Sequence, residues 1–288
     1  MAAGAGIYLY RARPLTLAAQ IRRLPAADSV LVYIDFAQLR SGGFLKTIAG
    51  PKSMEDAEYR AFAQKIHLDW REDLDRALIA FAPSGKYMFV DGRFDWNSLR
   101  AYVNGSGGEC QGDLCRIVGS APERRISFFP MRNNLMALAV STDDIAAQRM
   151  NGVAPGPDPD PPDAPVWMRI PGSVLRSGDN FPSGTRMFAR TLQQADFVTF
   201  RFTPEGDRLA ARLEVVCRDP EDAAAMAGEL TKATTLLKDL IQREHMTPNP
   251  ADFSGVLTSG DFRSESRRVI GHWPIERSFV ENLLSGGL

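Results

Sequence analysis

At 288 residues the chain is long enough for about two domains and for burying roughly three quarters of its unfolded surface. Its 34 Lys and Arg against 35 Asp and Glu give a net charge of −1, so no overall field exists to hold nucleic acid. With 44% hydrophobic residues, 24% charged residues and 3 Cys, the composition excludes a disordered or coiled-coil chain and a disulfide-dense scaffold.

Residues 2–10 read AAGAGIYLY and are closed by Arg11 and Arg13, like the last half of a membrane helix with its flanking charges. The run is shorter than the about 20 apolar residues a bilayer requires. It is read as part of an N-terminal membrane anchor that leaves everything after Pro14 facing the periplasm or exterior. The alternative is a cytoplasmic protein with an apolar N-terminus.

Residues 30–35 (VLVYID) predict a strand, and 37–48 a helix stopped by Gly50 and Pro51. Tyr59, Phe62, Ile66 and Trp70 recur at helical spacing. Asp69 with Glu72 forms a capping-box pattern for a short helix through Arg76. Pro83–Lys86 is a turn between strands 78–82 and 87–90, and Asp95 N-caps a helix through Tyr102. Strands follow at 115–118, 126–129 and 135–140, then a helix capped by Thr142 and ending near Met150.

Over 155–165 the sequence PGPDPDPPDAP alternates prolines with Asp, which predicts an extended, solvated linker. Beyond it, 166–170 is a strand, and 197–202 and 209–216 flank a turn at 203–207. Asp219-Pro220-Glu221 starts a helix whose apolar residues, from Ala223 to Leu240, keep one stripe to about Glu244. A strand at 268–271 and a helix opened by Pro274 complete the second half.

The segments LPAADSVLVYIDFAQLR, DWREDLDRALIAF, VDGRFDWNSLRAYV and RDPEDAAAMAGEL resemble a loosely defined class of uncharacterised bacterial envelope proteins, usually anchored by an N-terminal helix. The resemblance implies export but assigns no reaction, because its motifs are caps and turns. Matching phrases in the two halves, such as GRFDWNSL and CRDPEDAA, suggest an internal duplication.

Candidate chemistry is sparse. His67, His245 and His272 are dispersed and follow no metal-binding pattern, so structural roles are expected. Cys110 and Cys115 are spaced unlike a zinc or redox pair; they can form a disulfide if the chain is exported and are free thiols if it is cytosolic. Cys217 stands alone. The GSGG at 105–108 reads as a helix C-cap, and Gly85-Lys86 as a turn rather than a phosphate loop. Asp35, Asp91 and Asp95 sit at strand ends, where capping competes with general acid–base work. Arg22-Arg23, Arg124-Arg125 and Arg267-Arg268 are short pairs of a solvated or membrane-proximal face.

The sequence therefore predicts an α+β protein of two similar lobes, each an antiparallel or mixed sheet with helices on one face. Its expected organisation is an N-terminal segment 1–23, lobes 24–150 and 166–288, and a linker 151–165. The expected function is non-catalytic binding at the envelope, with no metal or cofactor and no nucleic acid, through a surface or inter-lobe cleft to a protein, lipid or cell-wall partner. The alternative is a hydrolase-like enzyme whose acidic residues converge between the lobes.

Overall fold

A computed structural model of the protein describes residues 15–25, 28–49, 57–119, 124–153, 156, 159–176, 190–206 and 208–284. The apolar run at 2–10, the helix stop at Gly50-Pro51 and four linker residues (Ala154, Pro155, Pro157, Asp158) lie outside them. Helix α1 (Leu17–Ile21) precedes strand β1 (Val30–Asp35), followed by α2 (Phe36–Ser41), α3 (Phe44–Ala49), α4 (Ala57–Lys65) and α5 (Trp70–Asp73). Strands β2 (Leu74–Ala82) and β3 (Gly85–Gly92) lead to α6 (Trp96–Gly105), the short β4 (Glu109–Gln111), β5 (Leu114–Val118), β6 (Arg125–Arg132), β7 (Leu135–Ser141) and α7 (Ala146–Arg149). The second half contains β8 (Val166–Pro171), α8 (Gly172–Arg176), β9 (Phe197–Glu205), β10 (Arg208–Val216), α9 (Pro220–Arg243), α10 (Phe253–Thr258), β11 (Asp261–Glu265), β12 (Arg268–Ile275) and α11 (Arg277–Leu284).

The fold is α+β with antiparallel strand pairing. Two compact units can be distinguished: Met1–Ala37 with Ser53–Asp163, and Gln38–Lys52 with Ala164–Leu288. In the first, the strands run in the order β1-β2-β3-β7-β6-β5-β4; in the second, β11-β12-β10-β9-β8. The second unit thus takes α3 from the N-terminal half, where it packs against α11.

In the first unit, alternation sorts residues onto two faces. Leu31, Leu78, Phe89, Ala137 and Ala139 share one face through direct cross-strand pairing and are all buried. Ala147 of α7 donates its N–H to the buried Ser127 hydroxyl. On the opposite face, Cys115 and Phe128 form a core with Ile66, Leu99 and Val103. Helices thus cover both faces of this sheet, where one was expected, because strands β5 to β7 carry apolar residues on both parities.

Several local expectations change in the structure. The helix expected over 37–48 is split into α2 and α3 at Gly42-Gly43, where Gly43 takes φ 77°. The capping box at Asp69 closes through Asp73, not Glu72: Asp69 accepts from the Arg71 N–H, and Asp73 accepts from the Asp69 N–H at 2.7 Å. The expected Thr142 cap is not made: α7 begins after Ile145 with no side-chain cap, and Asp143 accepts from the Ile145 N–H in the turn before the helix. Pro274 does not open a helix. It lies in β12 opposite Ala210, beyond the last β11 pair at Asp261–His272, where its missing N–H costs the ladder nothing. The linker is irregular where described, but Pro162 and Pro165 are buried, so this part is not a solvated tether.

Other expectations match the structure. The β2–β3 hairpin closes through a two-residue loop with Ala82 opposite Gly85. Asp95 caps α6 by accepting from the Asn97 and Ser98 N–H groups. Asp219 caps α9, a helix of 24 residues with Pro220 in its first turn.

Candidate functional site

Three groupings of chemistry-bearing side chains stand out in the first unit, and each can be compared with what catalysis requires.

His67, Asp95 and Ser98 contain the residue types of a nucleophilic triad. In a working relay the imidazole stands between carboxylate and hydroxyl, one ring nitrogen to each. Here the same atom, His67 Nδ1, faces both Asp95 Oδ2 at 3.4 Å and Ser98 Oγ at 3.2 Å. Ser98 Oγ meanwhile donates directly to Asp95 Oδ2 at 2.7 Å. These hydrogen bonds, the one from Ser98 first, hold the Asp95 carboxyl down to about 2. The group is exposed and completes the cap of α6. His67 also ends α4: at φ 54° it occupies the left-handed position after the helix, its N–H bonded to Gln64 O and that of Leu68 to Ala63 O.

The second grouping centres on the buried Asp91, Tyr33 and Gln20. Asp35 lies directly opposite Arg76, and Arg76 directly opposite Asp91, so three adjacent strands carry an acid–base–acid row on the core-facing side. Arg76 Nη2 approaches Asp91 Oδ1 at 3.6 Å, and the Tyr33 hydroxyl donates to Asp35 Oδ2 at 3.3 Å. From α1, the Gln20 amide donates to Asp91 Oδ2 and to Leu15 O, both at 3.2 Å. Asp91 is 5% exposed; burial raises its pKa, against the opposing effects of Arg76 and Gln20. Burial and the neighbouring Asp35 likewise raise that of Tyr33. The row thus brings together Asp35 and Asp91, two of the sequence candidates, while Asp95 lies in the first grouping. His245 and His272 lie elsewhere: His245 is the left-handed residue ending α9, and His272 lies in β12 beside Glu205.

Sequence reading did not find Gln20, Tyr33 or Arg76. A signal was present: in the three strands, Asp35, Arg76 and Asp91 occupy the same parity as Leu31, Leu78 and Phe89, placing charged residues among apolar ones.

The third grouping surrounds the β4–β5 hairpin. Cys110 and Cys115 are directly paired across it and joined by a disulfide, on the side facing the Leu99 and Val103 core. On the opposite parity, Arg116 contacts Glu109 at 2.8 Å and lines an open cavity of about 210 Å³ with Arg125, Asp144 and the Gly107-Gly108 backbone. Both arginines point an Nη1 at Asp144 Oδ2, each at 3.5 Å. Two arginines against two carboxylates leave no net charge, and the GSGG segment is the C-terminal end of α6, whose dipole repels anions. As the sequence predicted, this segment is a cap: the Gly108 N–H bonds to Val103 O. A Cβ on Gly108 would lie 2.3 Å from Arg116 O, so the turn and hairpin can pack only with glycine here.

The third cysteine, Cys217, is buried, and that burial raises its thiol pKa. Among the described residues no group of three or more His, Cys, Asp or Glu side chains could hold a metal ion. Among them, too, no helix is long and apolar enough to cross a membrane.

No protein-family model and no curated protein matches the sequence. Solved structures do match. Crystal form I of TP0453 aligns with a TM-score of 0.55 at 12% identity, covering 95% of this chain and 98% of that chain. Crystal form III of TP0453 aligns at 0.50 and 11%, covering 93% and 97%. The likeness is one of fold. It extends through both units, and at these identities it transfers no residue role.

Proposed function

We propose that the protein is a non-catalytic binding protein working at the bacterial envelope, outside the cytoplasm, with residues 2–10 as part of its membrane attachment. The observation that carries this reading is the Cys110–Cys115 disulfide, since such bonds persist in oxidising compartments and are rare where thiols are kept reduced. The resemblance to envelope proteins agrees with it. So do the two acid-rich groupings, whose carboxylates engage caps, Arg76 and Gln20 in place of an activated nucleophile.

The test is to quench cells of the source organism directly into an alkylating agent under denaturing conditions and count modified cysteines by mass. Of the 3 Cys, one is expected to react before reduction and all after it. Three reactive thiols before reduction would place the protein in a reducing compartment and overturn the reading. Protease added to intact spheroplasts supplies an independent check: digestion of the folded units is expected, and their protection contradicts it.

A further inference from the structure

The second unit has a face that none of these groupings uses. Alternation in β8 to β12 places Leu213, Val215, Val269 and Trp273 on one side, buried, with α9 packed on β11 and β12. The other side is charged. A single row of directly opposed residues crosses all five strands, Trp167–Arg201–Arg212–His272–Asp261, and Trp167 is fully buried at one end.

Within this row two arginines and a histidine stand side by side on strands about 4.8 Å apart, an arrangement that like charge disfavours. Two glutamates hold it together, each shared between two cationic groups. Glu214 binds Arg201 and Arg268; Glu205 binds Arg212 and lies 3.4 Å from His272 Nε2. The bond from Arg212 is the main reason the Glu205 carboxyl titrates below its usual range.

The five strands contain no lysine. Every fixed positive charge is thus a planar guanidinium, the group that matches carboxylates in paired geometry. Donors also outnumber acceptors. Arg201 Nε and the Thr203 hydroxyl, two residues apart on this face, are buried without a hydrogen-bond partner, although such groups are ordinarily satisfied. Yet the charged heads remain accessible, with Arg212 53% and Arg268 62% exposed.

We propose that this sheet face docks an acidic polypeptide segment, whose carboxylates replace Glu205 and Glu214 on Arg201, Arg212 and Arg268. A carboxylate partner is favoured because the face already binds its own carboxylates in this way. A protein ligand is favoured over a diffuse polyanion because the arginines of this face alternate with Glu205, Glu214 and Asp261 on a chain whose net charge is −1, so it offers discrete carboxylate sites in place of an extended single-sign field. The inference rests on the reading of a binding protein and supplies its partner class.

The experiment uses the full-length protein and a fluorescein-labelled oligo-glutamate peptide, followed by anisotropy at low and physiological salt. Binding that weakens with salt is expected. In Arg201→Gln/Arg212→Gln/Arg268→Gln it should fall by about tenfold or more, the sum of three partly exposed charge pairs. In Glu205→Gln/Glu214→Gln it should strengthen, because the competing carboxylates are gone; a merely structural role for the arginines gives the opposite result. Circular dichroism confirms folding of each variant, and Arg100→Gln in the first unit serves as a control with unchanged binding. No binding, binding indifferent to the triple substitution, or stronger binding to polyphosphate or anionic vesicles than to the peptide would each overturn the proposal. None of these outcomes alters the thiol count, so failure here is separable from failure of the compartment reading.

Discussion

Two rows of side chains, one in each unit, are built on the same plan and serve opposite ends. Asp35–Arg76–Asp91 and Arg201–Arg212–His272 are both sets of directly opposed residues on three adjacent antiparallel strands. The first alternates in sign and ends in a buried Asp91 anchored by Gln20, so each acid stands opposite Arg76 and like charges are never adjacent. The second repeats one sign, keeps its side chains between 36% and 53% accessible and relies on two glutamates outside the row. A buried ion such as Asp91 needs an opposite charge and hydrogen-bond donors at hand because an unpaired ion loses several kcal/mol of hydration there; a half-exposed row can keep like charges together because water and salt screen them. The sign pattern along a row therefore distinguishes a structural lock from a recognition surface.

Substitutions should reproduce this distinction. Asp91→Ala leaves the Gln20 amide and Arg76 without their carboxylate and is expected to cost about 2–3 kcal/mol in denaturant unfolding, one of the largest single effects in the first unit. A loss below about 0.5 kcal/mol would remove the lock reading. Converting Cys110 and Cys115 to Ser should cost about 2 kcal/mol, from the loop-closure entropy of a short ring, measured the same way and compared with reduced wild-type protein.

His245→Gly should gain up to about 1 kcal/mol, since the left-handed conformation after α9 strains any residue with a side chain. Arg212→Gln, by contrast, should change stability by less than about 0.5 kcal/mol while weakening the oligo-glutamate complex.

The pH dependence also separates buried from exposed acids. Burial raises the folded-state pKa of Asp91, so its stabilising effect is complete below the ordinary carboxylate value of 3.8 and is lost as pH rises through the raised one. Asp95, held down to about 2, acts in the other direction: its contribution is present above 3.8 and is lost as pH falls towards 2. Unfolding curves of Asp91→Asn and Asp95→Asn across this range should therefore diverge from wild type with opposite slopes.

Local grammar was legible in the sequence wherever one residue type decides the outcome. Asp95 and Asp219 were readable as caps, and Pro83-Ser84 as a turn, because side-chain oxygens and a fixed φ act within three or four residues. Helix ends were harder. The end of α9 was expected near Glu244 and lies there, but the left-handed position after α9 and after α4 is taken by His245 and His67, where glycine is usual, and no pattern in the preceding turns announces this. The candidate sites were least legible, because both rows are made by strand register. Asp35 and Asp91 could be named singly, but only the pairing of β2 with both neighbours places Arg76 between them. Arg201, Arg212 and His272 are separated by up to 71 residues in sequence and meet only through β9, β10 and β12.

The assignment of Gln38–Lys52 to the second unit has a consequence for how the protein is made. Helix α3 leaves the ribosome well before α11, against which it packs and which begins only at Arg277. The second unit therefore cannot complete its core co-translationally in a simple N-to-C order. A fragment starting at Val166 would lack the surface that Leu45 buries, and supplying the 38–52 segment as a separate peptide should restore it.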